Sequence, residues 1–387
     1  MDHSPITSVA LCLTHNCNLR CKYCYAGTKS QRSMSVDTAR QALDFLDTQS
    51  SGKCAVTFFG GEPLLEFECL KETVRYAGQK YPGKFEFRFA TNGVLLAPDV
   101  FQFLREHKVY FSLSIDGSPK QHDCNRVTQS GHGSYEQIAG VIADTLEYNP
   151  YTIAVSVLTP ATVPYFADGV KHLFGLGFRY VLQTLDYSSP WQKQDIDQMK
   201  RQYRTLADYY FDSLAAGRKI YYSPFDSRIQ TWAQKPIAKG DLCDLANSQI
   251  AIAASGRIYP CVQFVAEDDT DSQHNAIGDI WSGFNSDRRN WFIEQNRVEI
   301  ESCAGCALLG RCATYCGCIN WRTTGCLNRI PPIICEHERM LMPIVDQLAN
   351  KLWKRDVDLF KRKFYEKSFP ITSYIEDCLI RSGGKYA

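Results

Sequence analysis

This sequence lacks an excess of charge of either sign. Its 387 residues hold 43 Lys and Arg against 42 Asp and Glu, a formal charge of +1. So balanced a chain offers no electrostatic footprint for a nucleic-acid duplex. No run of about eighteen apolar residues occurs, which argues against a membrane span. The opening Met-Asp-His-Ser-Pro has neither a basic n-region nor an apolar h-region. No secretory signal is read there, and the expected location is cytoplasmic. With 44% hydrophobic and 22% charged residues, the remaining expectation is an ordinary globular chain of two or three domains.

Cysteine breaks that pattern. There are 17, and nine fall between Cys243 and Cys335. Disulfide scaffolds belong to small secreted chains. Clustered thiols at short spacing in a reducing compartment point to metal ligation instead.

Residues 8–216 alternate strand-like and helix-like segments. The strands are expected at 9–13, 55–59, 85–90, 110–115, 153–158 and 180–185, each rich in β-branched or aromatic residues and bounded by turn formers. Helical periods lie at 36–48, 69–79, 99–106, 135–147 and 163–174. A stripe of Ile196, Met199, Tyr203, Leu206, Tyr210 and Leu214 marks another helix at 195–216 and reads as core. Six strand-then-helix units imply a parallel sheet, open or closed into a barrel, with ligands at the C-terminal ends of its strands. The expected divisions are a barrel at 1–224, a Cys-rich domain at 225–345 and a helical tail at 346–387. One helical stretch is expected at 342–367, its many basic residues forming a solvated face.

Cys17-x3-Cys21-x2-Cys24 occupies the loop after the first strand. Three thiolates so close can hold three irons of a cubane cluster and leave the fourth iron open. Zinc is the rival, with His15 as the nearest fourth ligand, and spacing alone leaves both standing. Gly60-Gly61-Glu62-Pro63 follows the second strand; its glycines allow close backbone approach to a ligand, and Glu62 can accept from an ammonium group.

Together, the Cys-x3-Cys-x-Tyr-Cys run and Gly-Gly-Glu-Pro resemble the radical S-adenosylmethionine (radical SAM) superfamily. The resemblance implies an α/β fold, a partial (β/α)6 TIM-like barrel, with one [4Fe–4S] cluster on Cys17, Cys21 and Cys24 and SAM on its open iron. It also implies Tyr23 beside the adenine and Gly60, Gly61 and Glu62 around the methionine amino group. Ser114 and Asp116 match the ribose side; Asn92 and Arg126 are further SAM contacts.

Cys243-x12-Gly256-x4-Cys261, then Cys303-x2-Cys306-x5-Cys312-x3-Cys316 and Cys335, resemble the SPASM extension, the seven-cysteine module of peptide- and protein-modifying radical SAM enzymes. The family pattern gives one auxiliary [4Fe–4S] cluster to Cys303, Cys306, Cys312 and Cys335. A second falls to Cys243, Cys261 and Cys316, whose fourth ligand the pattern does not supply. Cys318, Cys326 and an open site are the alternatives, with Cys326 or an open site ranked above Cys318 because two-residue spacing from Cys316 strains ligation of one cubane. Cys12, Cys54, Cys69, Cys124 and Cys378 lack partner spacing and read as inert packing.

The resemblance further implies a peptide or protein substrate and a flavodoxin or ferredoxin reductant. Sulfatase-maturating members carry an Asp base immediately after the second SPASM cysteine; here that residue is Val262, which cannot take a proton. The run Pro260-Cys261-Val262-Gln263-Phe264-Val265 is similar to maturases of ribosomal peptides that form thioether or carbon crosslinks, and this is the expected activity. The short stretch before the first strand leaves no leader-binding domain, so a separate leader-binding protein or direct reading of the substrate is expected. Formylglycine-type oxidation and a non-enzymatic zinc-binding interaction protein are the alternatives.

Overall fold

The computed structural model describes residues 4–234, 243–266, 268–269, 272–312 and 316–381. All strands among the described residues belong to one eleven-stranded sheet. They are β1 (Ser8–Thr14), β2 (Cys54–Gly60), β3 (Phe85–Thr91), β4 (Tyr110–Ser114), β5 (Ile153–Leu158), β6 (Tyr180–Leu185), β7 (Tyr221–Tyr222), β8 (Gln249–Ile252), β9 (Arg257–Tyr259), β10 (Gly278–Asp279) and β11 (Gly283–Phe284). Their order is β11-β10-β9-β8-β1-β2-β3-β4-β5-β6-β7. From β1 to β7 every pairing is parallel and sequential, each crossover carrying helical segments. This is the expected partial (β/α)6 barrel, and the six expected strands match β1 to β6 within one residue.

Burial explains the pattern. Leu11, Leu13, Val56, Phe58 and Leu113 are fully buried, whereas alternate positions of β2 to β4 are half-buried or exposed, the period-two alternation of strands with one face on the core. The helix Val36–Gln49 starts at Ser35, whose hydroxyl accepts from the Thr38 amide at 3.0 Å, a favoured N-cap. It buries Ala39, Ala42, Leu43, Phe45 and Leu46. The expected stripe also faces the core: Met199, Tyr203, Leu206, Tyr210 and Leu214 of the helix Lys193–Ala215 are buried.

Several expectations need correcting. The helix at 135–147 is two short ones, Tyr135–Ala139 and Ile142–Tyr148, parted at Gly140. The stretch at 342–367 is likewise two, Pro332–Lys354 and Asp358–Tyr365; Asp356 between them takes φ +55°, a left-handed turn that ends a helix. Its basic face is not wholly solvated, since Lys363 is ion-paired with the buried Asp226. Of the five unassigned cysteines, Cys12, Cys54 and Cys69 are buried, but Cys378 is exposed.

The expected divisions at 225 and 346 both fall inside helices, Ser223–Ala233 and Pro332–Lys354. Moreover, β8 pairs with β1 in parallel, Ser8 opposite Gln249 and Leu11 opposite Ile252. The Cys-rich region therefore continues the barrel sheet. Helix Pro332–Lys354, which carries Cys335, is tied to the barrel by Tyr203 Oη and His337 Nε2 at 3.0 Å and by a buried Arg228–Glu338 ion pair. Removing one partner of such a pair leaves an uncompensated buried charge.

Candidate functional site

The first thiol group is set by two glycines. Gly61 N donates to Thr14 O at 2.8 Å and Glu62 N to Asn16 O at 2.9 Å, fastening the end of β2 beneath the cysteine loop. A Cβ on Gly60, at φ +129°, would lie 2.1 Å from Thr14 O; one on Gly61 would lie 1.9 Å from Asn16 O. The absent side chains thus serve loop-to-strand contact, where ligand approach was expected. Gly61→Ala must displace the backbone next to Cys17. It should lower stability by about 2 kcal/mol or more and reduce bound iron, as urea midpoints and iron counting will read.

Cys17, Cys21 and Cys24 all line one cavity of about 380 Å³ at the C-terminal ends of the strands. Burial is the main reason that the Cys17 thiol is raised and the Cys21 thiol pushed up to about 11. Thiolates here need a cationic partner, as metal ligation supplies. Lys29 Nζ stands 3.0 Å from Cys24 Sγ. His15 is elsewhere, lining a small separate cavity with Cys12 and Tyr25, so the structure does not bring it to the three thiols as the zinc alternative required.

Tyr23, Gly60, Gly61, Glu62, Asn92, Ser114 and Arg126 line the same cavity. Glu62 is 1% exposed. Its carboxylate accepts from Thr91 Oγ1 at 2.8 Å, Leu64 N at 3.1 Å and Asn92 N at 2.8 Å. Burial nonetheless pushes its acidity constant up to about 7, those hydrogen bonds opposing. Asn92 Nδ2 donates to Asn18 Oδ1 at 2.7 Å, joining β3 to the cysteine loop. Asn18 and Thr91 were not foreseen; only their adjacency to Cys17 and Asn92 could have signalled them.

Asp116 sits just outside the cavity. It is fully buried behind the lining, and its carboxylate accepts from Tyr23 Oη at 2.7 Å and Val157 N at 3.0 Å, with Arg126 Nε at 3.2 Å. It orients Tyr23 and Arg126 and does not itself line the cavity. Arg126 also lies over the Tyr23 ring at 5.5 Å.

Beneath Asp116, His122 Nδ1 faces the Asp116 amide at 3.4 Å and Nε2 pairs with Ser134 Oγ at 3.0 Å. Burial, then the nearby Arg126 charge, takes His122 down to about 2. The unfolded imidazole binds a proton below about pH 6.5 while the folded one does not, so this group's contribution is intact above 6.5 and lost as pH falls. Between pH 6.5 and about 5 the loss should reach about 2 kcal/mol. Urea unfolding at the two pH values should show a slope that is smaller by that amount in His122→Gln, since the buried His337, taken down to about 3, contributes a slope of the same sign in both proteins.

The second thiol group lies where β9 ends and the helix Gly317–Thr324 begins. Cys318 is within hydrogen-bonding reach of the sulfurs of Cys243, Cys261 and Cys316. Hydrogen bonding from Cys318 is the main cause that brings Cys243 down to about 7 and lowers Cys316, whereas Cys318 itself is raised. The start of the helix Gly317–Thr324 folds Cys318 back among the other three sulfurs, a placement that its two-residue spacing from Cys316 did not suggest. Cys326 sits in the turn after Gly325, its amide donating to Thr324 Oγ1 at 3.2 Å.

The third group is Cys303, Cys306, Cys312 and Cys335, mutual electrostatic neighbours whose proximity, together with burial, raises Cys303 and Cys335. Cys303 and Cys335 belong to a small apolar cluster with Ile330 and Ile334. The thiols of these groups are neighbours without closing on an ion: among the described residues, no three His, Cys, Asp or Glu converge on a single metal position. The helix Gly317–Thr324 links the auxiliary thiols to the first cavity, since Ile319, Arg322 and Thr323 line it while Cys318 is buried behind. Val262 lines the small cavity that holds His15; its neighbour Gln263 lines the large one. No helix among the described residues is long and apolar enough to cross a membrane.

Residues 11–190 match the radical SAM superfamily. The chain is 20% identical over 374 residues to the radical SAM cyclopropyl synthase TigE of Paramaledivibacter caminithermalis, covering 91% of this chain and 76% of that protein. It is 23% identical over 285 residues to a cysteine-type anaerobic sulfatase-maturating enzyme of Clostridium perfringens, covering 68% and 76%. Among solved structures, native anSMEcpe with bound AdoMet and the Cp18Cys peptide superposes with a TM-score of 0.73 at 19% identity, over 90% of this chain and 100% of that one.

Proposed function

We propose, from the premise that this chain is a radical SAM enzyme related to peptide modifiers and sulfatase maturases, that it installs a carbon crosslink in a peptide. As an enzyme it is not the zinc-binding scaffold that its cysteines alone allowed. In this reading, the first cluster and SAM, when bound, would supply a 5′-deoxyadenosyl radical to take one hydrogen atom from a peptide carbon; the second hydrogen lost on crosslinking would leave as a proton, its electron passing to an auxiliary cluster.

The chain's own residues then have defined tasks. Cys17, Cys21 and Cys24 hold the first cluster. Arg126, fixed by Asp116, presents a cation to the SAM carboxylate. Glu62 and Asn92 hold the polar side of the cavity in one arrangement, so little reorganisation accompanies binding. Val155, Val157 and Leu185 line the opposite wall and keep water from a reactive intermediate. The eight thiols of the second and third groups hold two auxiliary clusters, Cys243, Cys261, Cys316 and Cys318 one of them and Cys303, Cys306, Cys312 and Cys335 the other. A separate leader-binding protein and a flavodoxin or ferredoxin reductant complete the proposed system.

The observation that carries this choice is the placement of Cys318. A fourth protein thiol leaves no ligand position for a substrate cysteine, which disfavours thiol activation on iron and hence thioether formation. Formylglycine-type oxidation remains the second reading, favoured by one feature: Asp186, a carboxylate lining the cavity, stands where it can replace the base missing at Val262. Its oxygens accept from Ser188 N at 3.0 Å and Ser189 Oγ at 2.6 Å.

The test is mass spectrometry of peptides encoded beside the gene, after anaerobic turnover with SAM and reductant. Loss of two hydrogens, with every cysteine still open to alkylation, is expected. A blocked cysteine would indicate a thioether, and an aldehyde that reacts with hydrazine would indicate formylglycine; either result overturns the carbon-crosslink reading.

A further inference from the structure

Five formally charged side chains line the large cavity: Lys29, Glu62, Arg126, Asp186 and Arg322. Four have direct partners. Lys29 faces Cys24, Glu62 accepts three donors, Arg126 faces Asp116, and Asp186 is capped by Ser188 and Ser189. Arg322 differs. Among the described residues its guanidinium has no hydrogen bond and no ion pair within 4 Å; its contact is with the Tyr25 ring, 5.2 Å from the centroid. Asp186 and Cys24 act on it only electrostatically.

The setting suits recognition more than helix stability. Arg322 lies in the last turn of the helix Gly317–Thr324, where a cation gains about 0.3–1 kcal/mol from the helix dipole. That role needs no cavity. The Tyr25 ring lies beneath the guanidinium as a cation–π partner and leaves its fork of N–H donors free. Such a fork matches a carboxylate in a bidentate pair, the stronger class of hydrogen bond.

We infer that Arg322 is the specificity-determining contact for a carboxylate carried by the peptide substrate, next to the residue to be modified. This rests on the reading that the cavity takes a peptide. The carboxylate has two sources, an Asp or Glu side chain or the peptide's own C-terminus. Both present the same group to the fork.

The experiment uses the anaerobically reconstituted full chain with SAM bound. The probes are acetyl-Ala-Cys-Ala-amide, the same peptide with a free C-terminal acid, acetyl-Asp-Cys-Ala-amide and its Asn counterpart. Binding is measured by calorimetry, and SAM affinity is measured separately.

At least one acid-bearing peptide should bind about tenfold more tightly than its neutral counterpart. Which one does so identifies the source. Arg322→Gln should abolish the gap while leaving neutral-peptide and SAM affinity unchanged, and Arg322→Lys should retain part of it. Iron content and circular dichroism matching the wild type establish that the variants are folded.

Neutral peptides binding with no acid preference, or a gap surviving in Arg322→Gln, would overturn the inference and leave the peptide reading intact. A fall in SAM affinity by the same factor would assign Arg322 to the SAM carboxylate and overturn it equally. Failure of every peptide to bind overturns the peptide reading and the inference with it.

Discussion

Cys17→Ala, Cys21→Ala and Cys24→Ala combined should remove about four irons per chain and all reductive cleavage of SAM. The eight auxiliary thiols should keep about eight irons in that variant. Their ligands lie on other elements, and Cys303, Cys306, Cys312 and Cys335 share none with the first loop. Iron assay and chromatography of 5′-deoxyadenosine read the two outcomes separately. Residual deoxyadenosine from the triple variant would show that the three thiols lining the cavity are not the site of SAM activation. Simultaneous loss of all iron would show instead that the variant fails to fold.

Cys318→Ala carries the second large expected effect. With Cys243, Cys261 and Cys316 around it, Cys318 is the proposed fourth ligand, and its removal should alter the auxiliary electron paramagnetic resonance signal and release up to about four irons. Cys326→Ala should leave spectrum and iron content unchanged, because Thr324 holds Cys326 in its turn away from that group. An unchanged spectrum in the Cys318 variant would reopen the ligand position. A substrate thiol could then bind iron directly, and thioether formation would displace the carbon crosslink as the preferred chemistry.

The barrel was legible because its signals are local. Strands β1 to β6 follow from runs of β-branched and aromatic residues between turn formers, and the motif residues fall at strand ends by the topology of parallel sheets. The breaks at Gly140 and Asp356 were less visible: periodicity continues across a single left-handed or helix-weakening residue. What could not be read was anything set by non-local packing. Sequence spacing made Cys318 look too close to Cys316, yet two consecutive residues at the start of a helix can turn a side chain back toward a partner 75 residues away. Asp116 looked like a ligand contact from its strand-end position, but the neighbours that occupy its oxygens come from residues 23, 126 and 157. The glycines after β2 were rightly singled out for close approach, though the approaching group is the backbone of Thr14 and Asn16.

The pairing of β1 with β8 also bears on how the chain is made. One neighbour of β1, β2, emerges soon after it; the other, β8, does not exist until residues 249–252 have been synthesised. Until then β1 presents a bare edge of unpaired amides and carbonyls flanked by Val9 and Leu11, the kind of edge that templates association between chains. Contacts of such sequence separation also form late and slowly. A chain cut short before β8 would therefore be expected to aggregate even though all six β/α units are present. The thiols at 17–24 emerge early, and the ones that flank the same sheet edge emerge last, so nascent chains spend the longest interval with the first loop exposed and its supporting strand unsheltered.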